Sequence, residues 1–278
     1  MNPVNKAIWY IERNLQSRMS LDDIARFAGV SGFHLLRAFS AATGLSVMRY
    51  VRGRRLTEAA RRLAMGAANI LTVAIDAEYN SHEAFTRAFR DRFGVTPETV
   101  RAQGHVNTLP LVEAIALPDN RIMDLPAPRI ERHALVLVAG IAERYGEDDA
   151  GARIPGQWQR FRSIEQGITR RVGHVVYGVC YNADDEGNMD YLCGAQVTDF
   201  LDLPMECSRL RIGARQYAVF WHGAHISAAR ATWDAIWNGW LPTSGHTAAD
   251  APLLERYDRR FDSHTGSGGV EFWVPLAE

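Results

Sequence analysis

The sequence predicts two domains of different class: an all-α front half made from two copies of one helical plan, and an α+β rear half made from two rounds of strand, helix, strand, strand. Three observations carry this. Ser81, Phe85, Arg87, Phe89 and Gly94 are answered fifty positions earlier by Ser31, Leu35, Arg37, Phe39 and Gly44, and repetition at a fixed interval says more about architecture than either copy alone. Residues 1–107 carry fifteen Lys and Arg against nine Asp and Glu, whereas the remainder carries sixteen against twenty-three, so a net +6 is joined to a net −7. Beyond residue 129, strand-length apolar runs are interrupted twice by a helical period. The 278 residues are chain enough for two domains of ordinary size.

In the front half, Val4, Ile8, Ile11 and Leu15 recur at helical spacing and predict an amphipathic first helix that packs the domain. Ser20 opens a second helix, with Asp22 and Asp23 in the first turn where the helix dipole favours acids. Gly29 supplies a tight turn and Ser31 starts the next helix, which is the layout of a helix-turn-helix unit. On that helix Leu35 and Phe39 must face inward, leaving Phe33, Leu36, Arg37 and Ser40 outward. An outward Arg37 suits a guanine edge, and Phe33 or Leu36 suits thymine methyls; Leu36 would equally fit a site facing a neighbouring helix. Residues 45–64 read as one long helix with Arg49, Arg52, Arg54, Arg55, Arg61 and Arg62 on its polar sides, a rod of roughly 30 Å. Two reading helices at its ends would meet DNA about 34 Å apart. Residues 72–77 are the supporting helix of the second unit.

The second reader is predicted over 81–93, capped by Ser81 and closed by Gly94 and Pro97. Phe85, Phe89 and Phe93 share one stripe. His82, Glu83, Thr86, Arg87 and Arg90 share the other. Taken alone, such a stripe also fits an ordinary solvated surface. Taken with the repeat and the basic front half beside an acidic rear half, it fits a chain that meets a polyanion with its front half only.

These segments, Asp23-Ile24-Ala25, Ala28-Gly29-Val30-Ser31, Leu35-Leu36-Arg37-Ala38-Phe39 and the whole run from Phe85 to Pro97, resemble the AraC/XylS family of transcription regulators over about residues 3–105. The resemblance implies a seven-helix domain with two helix-turn-helix units that contacts double-stranded promoter DNA, with RNA polymerase as a further partner. It also implies DNA contacts from Phe33, Leu36 and Arg37 in the first unit and from His82, Glu83, Thr86 and Arg87 in the second. Glu78 stands where the family has a turn glycine, and Leu36 where a polar reader is common.

The domain boundary is placed near 107, with a linker over 108–128 that holds a short edge strand at 111–115 and Pro110, Pro118, Pro126 and Pro128, which rule out a continuous helix. From 129 to 278 the first round is a strand at 130–142, a helix at 157–166 and a hairpin of 174–181 with 189–197. The second is a strand at 210–221, a helix at 226–240 and a hairpin of 254–261 with 270–274. Such a duplicated module builds two sheets with helices on one side and a cleft between halves.

Several tempting sites fail. Asp184–Asn188 lacks the terminal Glu of a calcium loop, and Gly266–Gly269 precedes no helix, so both are turns. His222 and His225 have no further ligands at metal spacing. Cys180, Cys193 and Cys207 form no C-x-x-C pair. No metal or cofactor is expected, nor a membrane span or signal peptide, and the expected location is the cytoplasm.

Six of the seven Trp follow residue 150, and Leu254–Asp258 puts Glu255 and Tyr257 on one strand face. A carboxylate among aromatic rings suits a hydrophobic cation through charge and cation–π attraction together. An exposed pairing of Glu255 with a neighbouring arginine is the plainer alternative. The segments Pro128–Glu131, Val138–Gly140, Tyr177–Cys180, Trp240–Gly245 and Leu254–Asp258 resemble the gyrase-inhibitor-like (GyrI-like) effector-binding domain of multidrug-sensing regulators. That resemblance implies a ligand cleft in which Glu255 meets an aromatic small molecule; Tyr177, Trp158, Trp237 and Tyr257 are the other candidates by position and type. The expectation is a non-enzymatic, DNA-binding regulator with a small-molecule effector, acting as monomer or homodimer. Its rivals are a hydrolase of electrophilic small molecules, with Glu255 as base beside Tyr177, and a ligand-free protein-interaction module.

Overall fold

The computed structural model describes residues 2–117, 125–146 and 150–277. The chain divides into two compact units, 1–35 with 45–119 and 36–44 with 120–278.

The front region holds seven helices among the described residues: α1 (Pro3–Arg13), α2 (Leu21–Ala28), α3 (Gly32–Thr43), α4 (Val47–Ala64), α5 (Ile70–Asp76), α6 (His82–Phe93) and α7 (Pro97–Gln103). Their starts follow local chemistry. Ser20 and Asp23 form a reciprocal capping box on α2, and the hydroxyls of Ser46, Ser81 and Thr96 each accept from the backbone N–H three residues on. Leu35, Phe39, Phe85 and Phe89 are fully buried, as the periodicity predicts. Phe85, Phe89 and Phe93 pack ring to ring at 5.4 and 4.7 Å over Leu56, Ala60 and Leu63 of α4 and Ile70, Val73 and Ala74 of α5. This aromatic ladder fixes the rotation of α6 and so decides which of its residues face solvent.

Two expectations about this region are corrected. Arg54 does not line a polar side of α4: it is 5% exposed. Its guanidinium donates to both carboxylate oxygens of Glu12 at 2.9 Å, to Glu58 and to the Val112 carbonyl. Tyr50 donates to Glu12 as well, at 2.7 Å, and accepts from the Ile115 amide. Second, 111–115 is not a strand. Its polar backbone is satisfied side chain by side chain, by Thr57, Arg54 and Tyr50 of α4, which leaves no ladder to pair. Gly53 permits this close approach, since a Cβ there would lie 2.7 Å from Val112. The part of the anticipated linker at 118–124 lies outside the described residues.

In the rear region the two rounds are present, with each leading strand cut in two. The elements are β1 (Arg129–His133), β2 (Val136–Tyr145), α8 (Ala150–Glu165), β3 (Arg171–Tyr181), β4 (Met189–Val197), β5 (Ser208–Ile212), β6 (Arg215–His222), α9 (Ala229–Asp234), β7 (Leu253–Tyr257) and β8 (Val270–Pro275). Around α9, residues 226–243 run through 3₁₀ and π turns, less regular than the single helix expected. All described strands join one antiparallel sheet in the order β1-β6-β8-β7-β3-β4-β2-β5, which corrects the expectation of two sheets. The cause is an exchange of arms. β1 leaves its own round to pair with β6 of the second, and β5 leaves the second to pair with β2 of the first. The central β3–β7 pairing then closes the two halves into one surface.

Candidate functional site

The first candidate surface is the outer face of α6. Arg87 and Arg90 are exposed and make no hydrogen bond or ion pair among the described residues. Other arginines of the region are engaged: Arg55 donates to the carbonyls of Leu15 and Ser17, Arg61 to Glu58 and Glu113, Arg62 to Asp76, Arg92 to Pro110 and Arg101 to Ala68. These guanidiniums serve the scaffold, whereas Arg87 and Arg90 of α6 face solvent. Glu83 is exposed in the first turn, its carboxyl held below the usual range by its own backbone N–H and the Ser81 hydroxyl. His82 is half-exposed, 3.3 Å from Glu98 of α7. Thr86 departs from expectation. Its hydroxyl oxygen is buried and without a hydrogen-bond partner, because the ring ladder turns that edge of α6 inward. On α3, Phe33, Leu36 and Ser40 are half-buried, and Arg37 is not the outward reader expected: its guanidinium has a buried Nε, donates to Met189 Sδ at 3.8 Å and lies beside the Cys180 thiol and Asp250. Glu78, in the turn before α6, adopts φ 65°, the left-handed conformation that glycine takes without strain.

The second candidate site is built on the face of the sheet that α8 covers. Cross-strand partners point to the same side, so Glu255 of β7 shares a face with Gly178 of β3 and Phe272 of β8, its register partners. Cys180 and Tyr191 are paired on that face too. Glu255 Oε2 accepts from the Tyr191 hydroxyl at 2.8 Å and from the Tyr257 hydroxyl at 2.9 Å. Trp158 Nε1 donates to the Tyr191 oxygen at 3.1 Å. The Tyr257 ring lies edge-on between Trp158, at 5.2 Å, and Phe261, at 4.7 Å.

What holds Trp158 there is Gln157, which is fully buried. It donates to the carbonyls of Ile141 and Tyr191 at 2.8 and 2.9 Å and accepts from Tyr145 at 2.8 Å. Those three bonds pin α8 onto β2 and β4. Gly178 completes the site by lacking a side chain: a Cβ there would come within 2.6 Å of Glu255 Oε2 and nearer still to the Tyr191 hydroxyl.

The electrostatics follow from that enclosure. Burial raises the Glu255 carboxyl above the ordinary glutamate value and outweighs the two tyrosine hydrogen bonds, which act the other way. No Arg, Lys or His lies within ion-pair distance of Glu255 among the described residues. Burial and then the Glu255 charge push Tyr191 and Tyr257 far up, so both remain hydroxyl donors. Burial takes the Cys180 thiol up to about 12, with Glu255 acting in the same direction. Asp258, three residues along, is the contrast: hydrogen bonding to Arg260 lowers it to about 2. One carboxylate is paired and ionised, and the other is enclosed by neutral groups.

Of the five residues anticipated here, Glu255, Tyr257 and Trp158 are brought together. Tyr177 is not. It pairs in register with Arg256 and packs with Val179, Leu254 and Trp273 on the opposite face, because adjacent strand residues alternate. Its proposed partnership with Glu255 as a base is therefore excluded by the pleat. Trp237 is 1% exposed and stacks on Trp233, which in turn stacks on Phe272, so it stands two rings away from the carboxyl. Tyr191 and Gly178 were not anticipated. Counting outward from the turn centre between Asp185 and Glu186 gives the pairing of Cys180 with Tyr191, a usable signal; the β3–β7 pairing that adds Glu255 is non-local and has none.

Among the described residues no helix is long and apolar enough to cross a membrane, and no three His, Cys, Asp or Glu are grouped to hold a metal.

Comparison with known proteins matches residues 126–277 to the GyrI-like small molecule binding domain and residues 24–103 to a helix-turn-helix domain. The chain is 40% identical over 281 residues to the transcriptional regulator Rob of Salmonella typhimurium, covering 97% of this chain and 96% of that one. It is 33% identical over 98 residues to the HTH-type transcriptional activator AarP of Providencia stuartii, which spans 35% of this chain and 73% of that one. Among solved structures, SAV2435 bound to tetraphenylphosphonium is similar over 54% of this chain and 93% of that one, with 22% identity and a TM-score of 0.46. The exposed guanidiniums of a helix-turn-helix unit and the ring-lined acid of a GyrI-like domain occur in one chain, and that chain belongs to the AraC family of transcription regulators, as a Rob-like member that senses small molecules.

Proposed function

We propose that the sensed molecule is a lipophilic aromatic cation, bound with its charge against Glu255 and its rings against Trp158, Tyr257 and Phe261. The observation that carries this is the Glu255 carboxyl itself. One of its oxygens is saturated by two tyrosine hydroxyls, and among the described residues the other accepts no hydrogen bond and no cation pairs with the carboxyl. Aromatic faces and a carboxylate attract a cation jointly, by roughly 0.5–2 kcal/mol for each well-placed ring. Tetraphenylphosphonium is a suitable probe, because its charge is permanent and its four aryl groups match the ring-lined site. Calorimetry should show binding by the full chain, a loss of tenfold or more on Glu255→Gln, and much weaker binding of the neutral triphenylphosphine oxide. Equal affinity for the two probes would remove the counterion role.

In the same reading α6 enters a major groove with Arg87 reading a base edge and Arg90 on a phosphate, while His82 and Glu83 contact the adjoining step. Phe33, Leu36 and Ser40 of α3 supply the first unit's contacts, while Arg37 is held against Met189 and the Cys180 thiol. Two readers in one chain suffice for a monomer to bind, and RNA polymerase is the partner through which a promoter-bound regulator acts. The ligand changes promoter output only by preferring one conformation.

A further inference from the structure

The Glu255 site offers an acid that forms no ion pair among the described residues. Among the described residues, the groups that bond to it or share its face are neutral: the Tyr191 hydroxyl from β4, the Tyr257 hydroxyl from its own strand, the Cys180 thiol from β3, the Phe272 ring from β8 and the Trp158 indole from α8. The charged neighbours on β7 and β8, Arg256 and Glu271, pair with one another at 3.2 Å on the opposite face of the sheet. Arg37, in the same compact unit, lies beside the Cys180 thiol and forms no ion pair with Glu255 among the described residues. Two neutral donors on one oxygen compensate only in part for withdrawing an ion from water.

We infer that Glu255 holds a proton until a cation arrives, and that cation binding expels that proton to solvent. The exchange balances: a neutral carboxylic acid and a monocation become a carboxylate–cation pair and one released proton. Oε1, which accepts no hydrogen bond among the described residues, is the oxygen that carries the acid proton and then meets the ligand. Tyr191 and Tyr257 keep donating to Oε2 throughout, so they are positioning residues that favour the ionised form. The regulator would then answer two signals at one site, since affinity for a permanent cation rises with pH.

This inference rests on the cation reading above, and the test separates the two. Tetraphenylphosphonium is titrated into the full chain from pH 5.5 to 8.5, in phosphate and in Tris, two buffers of different ionisation heat. The expected result is an affinity that climbs with pH by up to tenfold per unit, as one-proton linkage allows, levelling once the acid is ionised before binding. Heats that differ between the buffers would report up to one proton released per cation. Glu255→Gln should abolish both the pH slope and the buffer dependence of the heat. Tyr191→Phe and Tyr257→Phe should each move the levelling point to higher pH, because each removes a donor to the carboxylate. Binding with pH-independent affinity and equal heats in both buffers would overturn the proton exchange and leave the cation site standing. Absence of binding at every pH would overturn the cation reading itself. Independently of any ligand, an infrared difference between the wild type and Glu255→Gln at neutral pH should contain a protonated-carboxyl stretch; a carboxylate band alone would sink the inference.

Discussion

The Tyr191 hydroxyl donates to Glu255 Oε2 at 2.8 Å across the width of β3, a strand whose residue at that point is Gly178. The two side chains sit on β4 and β7, which are not neighbours in the sheet, and they meet only because the strand between them has no side chain there. Gly178→Ala would drive a methyl into that hydrogen bond. Overpacking of this kind costs roughly 1–3 kcal/mol, and tetraphenylphosphonium affinity should fall with it. Urea denaturation and calorimetry on the same variant check both; a variant of wild-type stability that binds normally would refute the close approach.

The enclosed acid has a consequence for stability. Its folded-state value is raised above the unfolded one, so its contribution is fully present below the unfolded value and is lost as pH rises through the folded value. Glu255→Gln removes that dependence. The stability difference between variant and wild type should therefore shift in favour of the variant as pH increases from the ordinary glutamate range through the raised value. Urea midpoints at a series of pH values measure it, and a difference that stays flat would contradict the direction.

Arg54 is the hub of the front region. Its guanidinium bridges α1, α4 and the 112–115 segment through Glu12, Glu58 and the Val112 carbonyl, and Glu12 and Glu58 hold it above the ordinary arginine value. Breaking one side of a buried pair leaves the other charge uncompensated and typically costs 3–5 kcal/mol. Arg54→Ala should lose about that much, and a loss below about 1 kcal/mol would show the hub to be solvated.

Glu78 holds φ 65° in the turn that aims α6. A non-glycine residue there is strained by about 1–2 kcal/mol. Glycine relieves this but also gains freedom in the unfolded chain, so Glu78→Gly should stabilise by roughly 1 kcal/mol, read as a higher melting temperature with DNA affinity retained.

On the proposed reading, Arg87 and Arg90 should separate by function. Arg87→Ala should cost about 1–3 kcal/mol of promoter affinity and relax preference at one base pair, whereas Arg90→Ala should weaken all sequences alike and lower the salt slope by about one. Fluorescence anisotropy at several salt concentrations distinguishes these, and unchanged binding by both variants would detach α6 from the groove.

Much of this protein was settled by local chemistry that the sequence displays. The capping residues Ser20, Ser46, Ser81 and Thr96, the Phe85–Phe89–Phe93 stripe and the two strand-helix-strand-strand rounds depend on neighbours within a few positions, where side-chain spacing and backbone geometry act directly. The same locality exposed Glu255 and Tyr257 on one strand face. Tertiary structure alone decided what lies beside them. The exchange of β1 and β5 that fuses two expected sheets into one, the placing of Tyr177 on the far face, and the meeting of Tyr191 with Glu255 over Gly178 all depend on pairing between distant strands. A one-residue change of register would reverse every side chain, and no local pattern fixes that register. Arg54 taught the same lesson in the helical region: on α4 it reads like its solvated neighbours, and only the arrival of Glu12 and Val112 makes it core.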